Sequence, residues 1–207
     1  RKNPATKGTV LVFHGNADRA ADRIYYGPEL SALGYRVLLA EYPGYGGRKG
    51  SVGEKYFVED GLETLKQVSE QYGGPVYLLG ESLGCGVAAA VARVSPVPVD
   101  GIILITPWDT LKAVASEKFP LLPVSFLLTD SYDTVQNLQD FKGPVVVAGA
   151  GEDEVIGFSH AENLYASLPA RTRKMWKKME GAGHNNWLNY TDSEWWKEIM
   201  SFASSGK

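Results

Sequence analysis

The strongest constraint on this chain is a rhythm. Short runs rich in aliphatic and β-branched residues fall at Thr9–Phe13, Arg36–Glu41, Val76–Leu79, Gly101–Thr106, Val145–Ala148 and Arg173–Met179. Most of the gaps are long enough for a crossover helix, which a pair of parallel strands requires and a hairpin does not. Most runs are apolar without a break, as expected of strands covered on both faces. The pattern predicts an α/β chain with a doubly wound, mostly parallel sheet of about six strands and helices on both faces.

The spacers support this reading. Val58, Leu62 and Leu65, and likewise Ala161, Leu164, Tyr165 and Leu168, fall at helical spacing and present one apolar stripe each. Thr191 with Glu194 reads as a capping box ahead of the stripe Trp195, Ile199, Phe202. Only the segment 107–144 breaks the rhythm: it carries Pro120 and Pro123, many apolar residues and no clear strand, and it reads as a short lid-like insert in one domain spanning 1–207.

The chain has 207 residues, 44% of them hydrophobic, enough for one sizeable core. A net charge of −3 offers no positive field for a polyanion, which argues against nucleic acid as a partner. The basic run Arg171–Lys178, broken by Met175 and Trp176, reads as a strand with a solvated face. One cysteine, Cys85, excludes an intrachain disulfide, and no apolar run approaches the ~20 residues of a membrane span. The chain opens on Arg1 rather than methionine, so compartment, oligomeric state and any signal or anchor removed from ahead of Arg1 are left open.

After the strand Val76-Tyr77-Leu78-Leu79 comes Gly80-Glu81-Ser82-Leu83-Gly84, followed by the small residues Cys85, Gly86, Val87, Ala88, Ala89 and Ala90. A sharp strand-to-helix turn pushes the central hydroxyl out of the sheet top, and small residues let helix and strand approach closely. Ser82 is therefore the candidate nucleophile. A serine hydroxyl needs a base held by an acceptor, and the chain has three histidines. His184 lies in the glycine-rich loop Gly181–Asn186 after the last strand and is the candidate base. His14 reads as a structural residue beside the first loop, and His160 as a helix surface residue. The loop Gly149–Ile156 follows the fifth strand and offers Glu152, Asp153 and Glu154; Asp153 is the chosen acid, its neighbours reading as solvated charges. The amides of Asn16, in the loop His14-Gly15-Asn16-Ala17, and of Leu83 are the candidate oxyanion donors. Trp108, Phe119, Leu122, Phe126 and Trp187 are candidates for an acyl-binding pocket.

Together, His14-Gly15-Asn16-Ala17, Tyr42-Pro43-Gly44-Tyr45-Gly46, Gly80-Glu81-Ser82-Leu83-Gly84, Thr106-Pro107-Trp108, Asp153-Glu154-Val155-Ile156 and Gly183-His184-Asn185 resemble the α/β-hydrolase serine hydrolases over nearly the whole chain. That resemblance implies the α/β-hydrolase fold and a serine esterase or thioesterase working through an acyl-enzyme on a small-molecule or acylated substrate, without cofactor or metal. Two departures stand out. Relatives often carry two more antiparallel strands, and sometimes a hydrophobic anchor, ahead of where this chain begins. Gly157 also stands where a proline is usual.

Rival readings are weaker. Gly80, Gly84 and Gly86 fit the glycine turn of a dinucleotide-binding dehydrogenase, but Asp100 precedes the next strand instead of ending it, and the Tyr45/Lys49 pair sits in a loop. Cys85 reads as a small buried residue, and Asn189-Tyr190-Thr191 as a chance glycosylation triplet. The alternative from another class is a ligand-binding module that keeps the triad with little turnover.

Overall fold

The computed structural model describes residues 6–16, 19–123 and 128–205. Six parallel strands form one sheet in the order β2-β1-β3-β4-β5-β6: β1 (Thr9–Phe13), β2 (Arg36–Ala40), β3 (Val76–Glu81), β4 (Gly101–Ile105), β5 (Val145–Ala150) and β6 (Lys174–Met179). Every strand has the predicted location; β3 and β5 run two residues longer than their apolar runs, into Glu81 and Ala150.

Side chains alternate across the sheet, and both faces are apolar. Leu11, Phe13, Leu78, Ile102, Leu104, Val145 and Val147 point to one face. There they meet α2 (Glu54–Tyr72), α3 (Leu83–Val94) and α6 (Phe158–Ser167). Val10, Val12, Leu79, Ile103, Ile105 and Val146 point to the other, beneath α1 (Tyr26–Ala32) and α7 (Ser193–Ala203). Each fully buried leucine or isoleucine contributes about 1.5–3 kcal/mol.

The strand order fixes where a site can form. From β1 the chain moves outward through α1 to β2, then crosses back to β3 and continues through α3 in the opposite direction. The loops after β1 and β3 therefore diverge to opposite faces while the strands pair directly, Phe13 opposite Gly80. Such a switch point opens a crevice at the carboxyl ends of the strands.

Segment 107–144 contains α4 (Leu111–Lys118) and α5 (Thr134–Leu138). Its two ends are stitched by the bridge Thr110–Asp133 and by Leu111 N–H donating to Tyr132 O at 3.1 Å. Thr110 and Asp133 cap the two helices, accepting from Ala113 N and Gln136 N. The predicted cap of the last helix moves by one residue. Asp192, not Thr191, accepts from Trp195 N, because a carboxylate beside the first turn also offsets the helix dipole.

Candidate active site

Ser82 stands between β3 and α3 with φ 52° and ψ −115°, a conformation that L-residues avoid unless the surroundings enforce it. The enforcement is close backbone packing. A β-carbon on Gly80 would lie 2.5 Å from Gly84 O, and one on Gly84 only 2.0 Å from Phe13 O. Strand β3, helix α3 and the end of β1 therefore meet backbone to backbone, with the Ser82 side chain turned outward.

His184 Nε2 lies 2.9 Å from Ser82 Oγ, and His184 Nδ1 lies 2.8 Å from Asp153 Oδ2. With Nδ1–H donating to the carboxylate, Nε2 is left as the acceptor for the serine hydroxyl. Asp153 and His184 are both buried, at 3% and 8% side-chain exposure. The second oxygen of Asp153 accepts from Val155 N at 3.0 Å and Ile156 N at 2.7 Å, which fixes the direction of the carboxylate.

Glu154 is exposed, as expected of a loop charge, and it also has a backbone partner that the sequence did not reveal. Its Oε2 accepts from the backbone N–H of His184 at 3.0 Å and abuts Gly183, where a β-carbon would lie 2.6 Å away. The His184 amide holds the Glu154 carboxyl below the usual carboxylate range. Glu152 makes its loop contact through its backbone, donating to Ala182 O.

The loop after β1 is anchored from both sides. Buried His14 faces Gly15 O through Nδ1 at 2.8 Å and Glu41 Oε1 through Nε2 at 3.0 Å. Tyr42 Oη donates to His14 O, and Tyr45 Oη donates to Asn16 Oδ1 at 2.6 Å. His160 is buried rather than on the surface, because Asp109 Oδ1 at 2.8 Å and Glu117 Oε2 at 3.1 Å flank its two ring nitrogens.

A cavity of about 510 Å³ opens beside Ser82, lined by Asn16 and Leu83 and with Phe57, Trp108, Leu111, Val114 and Ile156 among its walls. Of the five pocket candidates, only Trp108 among the described residues borders it. Phe119 and Leu122 are 56% and 53% exposed beyond the end of α4 and do not line it. Trp187 packs behind the sheet against Tyr26 and Trp196, because the 3-10 turn after the His184 loop directs it there. Phe126 lies outside the described residues. Phe57, Leu111, Val114 and Ile156 were not among the sequence candidates; usable signals were the place of Ile156 in the Asp153–Ile156 motif and of Leu111 and Val114 just after Thr106-Pro107-Trp108, whereas Phe57, on α2, had none. The Cys85 thiol is buried, which pushes its pKa up, and it donates to Gly80 O, so it serves packing. Among the described residues no cluster of His, Cys, Asp and Glu could hold a metal ion, and no helix is long and apolar enough to cross a membrane.

A six-stranded parallel sheet with helices on both sides and a crevice at the β1/β3 switch is the α/β-hydrolase fold. Solved structures agree: the Pyrococcus furiosus esterase Pf2001 superposes with a TM-score of 0.75 at 18% identity, covering 95% of this chain and 80% of that one. A monoacylglycerol lipase of Paleococcus ferrophilus gives 0.67 at 18% identity, over 98% of this chain and 96% of that one. Within that fold class, the family model of serine aminopeptidases, S33, matches residues 4–122, and the chain belongs to that family of α/β hydrolases. An uncharacterized protein of Mycobacterium tuberculosis is 32% identical over 190 residues, 88% of this chain and 66% of its own length. The lysophosphatidylserine lipase ABHD12 of Mus musculus is 30% identical over 188 residues, 81% of this chain and 47% of its own. The chain thus spans about two thirds of the first of these relatives and about half of the second.

Proposed function

We propose that this protein is a serine hydrolase that cleaves a carboxylic ester or thioester of a small acylated substrate through an acyl-enzyme. The observation that carries the proposal is the hydrogen-bonded line Asp153–His184–Ser82, with contacts of 2.8 and 2.9 Å, ending on a strained elbow serine. His184 Nε2 takes the hydroxyl proton as Ser82 Oγ attacks the acyl carbon, and Asp153 stabilises the imidazolium that forms. The Leu83 N–H, at the first turn of α3 where no intrahelical acceptor exists, and the Asn16 N–H hold the oxyanion. Collapse expels the alcohol or thiol with a proton from His184, and water then releases the acid by the same route. Ester chemistry is favoured over aminopeptidase chemistry by the cavity beside Ser82: its walls are mostly apolar, with Asp130 the one carboxylate among the described residues that line it.

The test is labelling and turnover on the purified protein. A fluorophosphonate should label Ser82, and Ser82→Ala should abolish both labelling and hydrolysis of p-nitrophenyl and thioester substrates while leaving the thermal midpoint in place. A label on another residue, or a burst of product with no subsequent turnover, would overturn enzymatic ester cleavage, the burst favouring a ligand-binding module. Faster cleavage of amino-acid p-nitroanilides than of esters would overturn the substrate class.

A further inference from the structure

Behind the elbow lies a buried polar cluster that the reaction steps above do not use. Glu81, the last residue of β3, shares a face with Tyr77 and Leu79, where an apolar side chain would be ordinary. Its carboxylate instead receives four donors. Arg23 donates through Nε to Oε2 at 2.8 Å and through Nη2 to Oε1 at 2.7 Å. Tyr25 Oη and Tyr26 Oη donate to Oε2 at 2.8 and 2.9 Å. The ion pair is nearly dry, with side-chain exposures of 11% for Arg23 and 10% for Glu81. Burial first, then the Glu81 charge, raises the pKa of both tyrosines, so they remain donors at any physiological pH.

A buried ion pair is a weak source of stability, since apolar residues of similar volume often serve as well. Its distinctive product is a fixed direction, and here that direction is shared by three loops. Glu81 immediately precedes Ser82. Arg23 ends the 3-10 turn Ala20–Arg23 that follows the loop after β1, and its guanidinium lies under Gly15: a β-carbon there would sit 3.6 Å from Arg23 Nη2 and 3.5 Å from Ser82 Cβ. The Gly15–Asn16 peptide is thus confined between the elbow and Arg23. Tyr25 and Tyr26 carry the rings, at 6.2 Å each, against which Trp187, three residues beyond His184, is packed.

We infer that Arg23 and Glu81 are positioning residues, an ion pair that sets the Asn16 amide against Ser82 at the distance a tetrahedral oxyanion requires. The inference rests on the serine hydrolase reading. Misplacing a donor by about 1 Å costs on the order of a hundredfold in rate, so the pair acts on turnover and leaves ground-state binding alone.

The test compares wild type with Arg23→Met/Glu81→Gln, which removes both charges together while an amide oxygen still accepts from Tyr26. Arg23→Lys, which keeps the charge without the two-pronged geometry, is the rescue arm. Rates on p-nitrophenyl butyrate are normalised to fluorophosphonate-titrated sites, and inhibition by an alkyl trifluoromethyl ketone, which needs the oxyanion donors, is measured alongside. The double variant should lose about 10- to 100-fold in kcat with KM within about twofold, and ketone affinity should fall by the same factor. Arg23→Lys should lie between it and wild type. A folded double variant with wild-type kcat per titrated site overturns the inference. Should that variant fail to fold, Tyr25→Phe decides: it removes one donor from Glu81 and should lower kcat and ketone affinity together by a few-fold, and no change in either overturns the inference. Wild type inert toward both ester and fluorophosphonate would instead remove the hydrolase reading on which the inference stands.

Discussion

Gly84 has no room for a side chain, because its Cβ position falls 2.0 Å from Phe13 O and 2.6 Å from Phe13 C, both backbone atoms that cannot rotate away. Gly84→Ala should therefore destabilise the fold by about 3 kcal/mol, at the upper end of overpacking costs, as measured by urea unfolding. Glu154 makes a gentler case. Its carboxyl is held below the ordinary range by the His184 amide, so the contact is complete above a usual carboxylate pKa of about 4.3 and is lost only as pH falls through the lower folded value. At neutral pH the contact is fully made. Glu154→Gln should then lower kcat/KM at neutral pH by a few-fold, because an amide oxygen accepts more weakly than a carboxylate from the His184 N–H. An unchanged kcat/KM would show that this contact does not hold the His184 loop in place.

At the scale of elements, α4 decides the shape of the pocket. Leu111 and Val114 face the cavity from its first turns, while Phe119, at its C-terminal end, points to solvent. The helix is held to α6 through His160, whose partner Glu117 lies on α4, and through Asp109 just ahead of it. Activity toward p-nitrophenyl esters should rise with acyl length by a few-fold per carbon, at about 0.8 kcal/mol per methylene, until the cavity is full. Leu111→Ala and Val114→Ala should shift that optimum to longer chains, and Phe119→Ala should not; kcat/KM from acetate to palmitate separates them. These distinctions were not legible in the sequence. Trp108, Phe119, Leu122 and Trp187 are equally apolar, and which of them meets the cavity depends on the return of the chain through the Thr110–Asp133 bridge and on the turn at Trp187. His160 was legible as helical, but its burial was not, since its partners lie 51 and 43 residues away.

Across the whole molecule, what the sequence displayed was what is local. The unbroken apolar runs named the strands, and the strand, the five residues Gly80–Gly84 and the small helix face named the elbow, because each signal is complete within about ten residues. The Arg23–Glu81 pair, 58 residues apart, has no such local signature. Parallel pairing forces this on every part of the site. Ser82 and His184 are separated by 102 residues, and Asp153 and His184 by 31, with the β4, β5 and β6 crossovers between Ser82 and His184. Closing such long loops is slow, so the order of events in refolding should be visible in activity. After dilution from urea, far-ultraviolet dichroism should recover first, from helices α2 and α3. Reactivity of Ser82 toward a fluorophosphonate should return only with the slowest phase, when β6 docks on β5 and carries His184 to the serine. In that sense the reactivity of the elbow serine is a clock for the last strand to arrive.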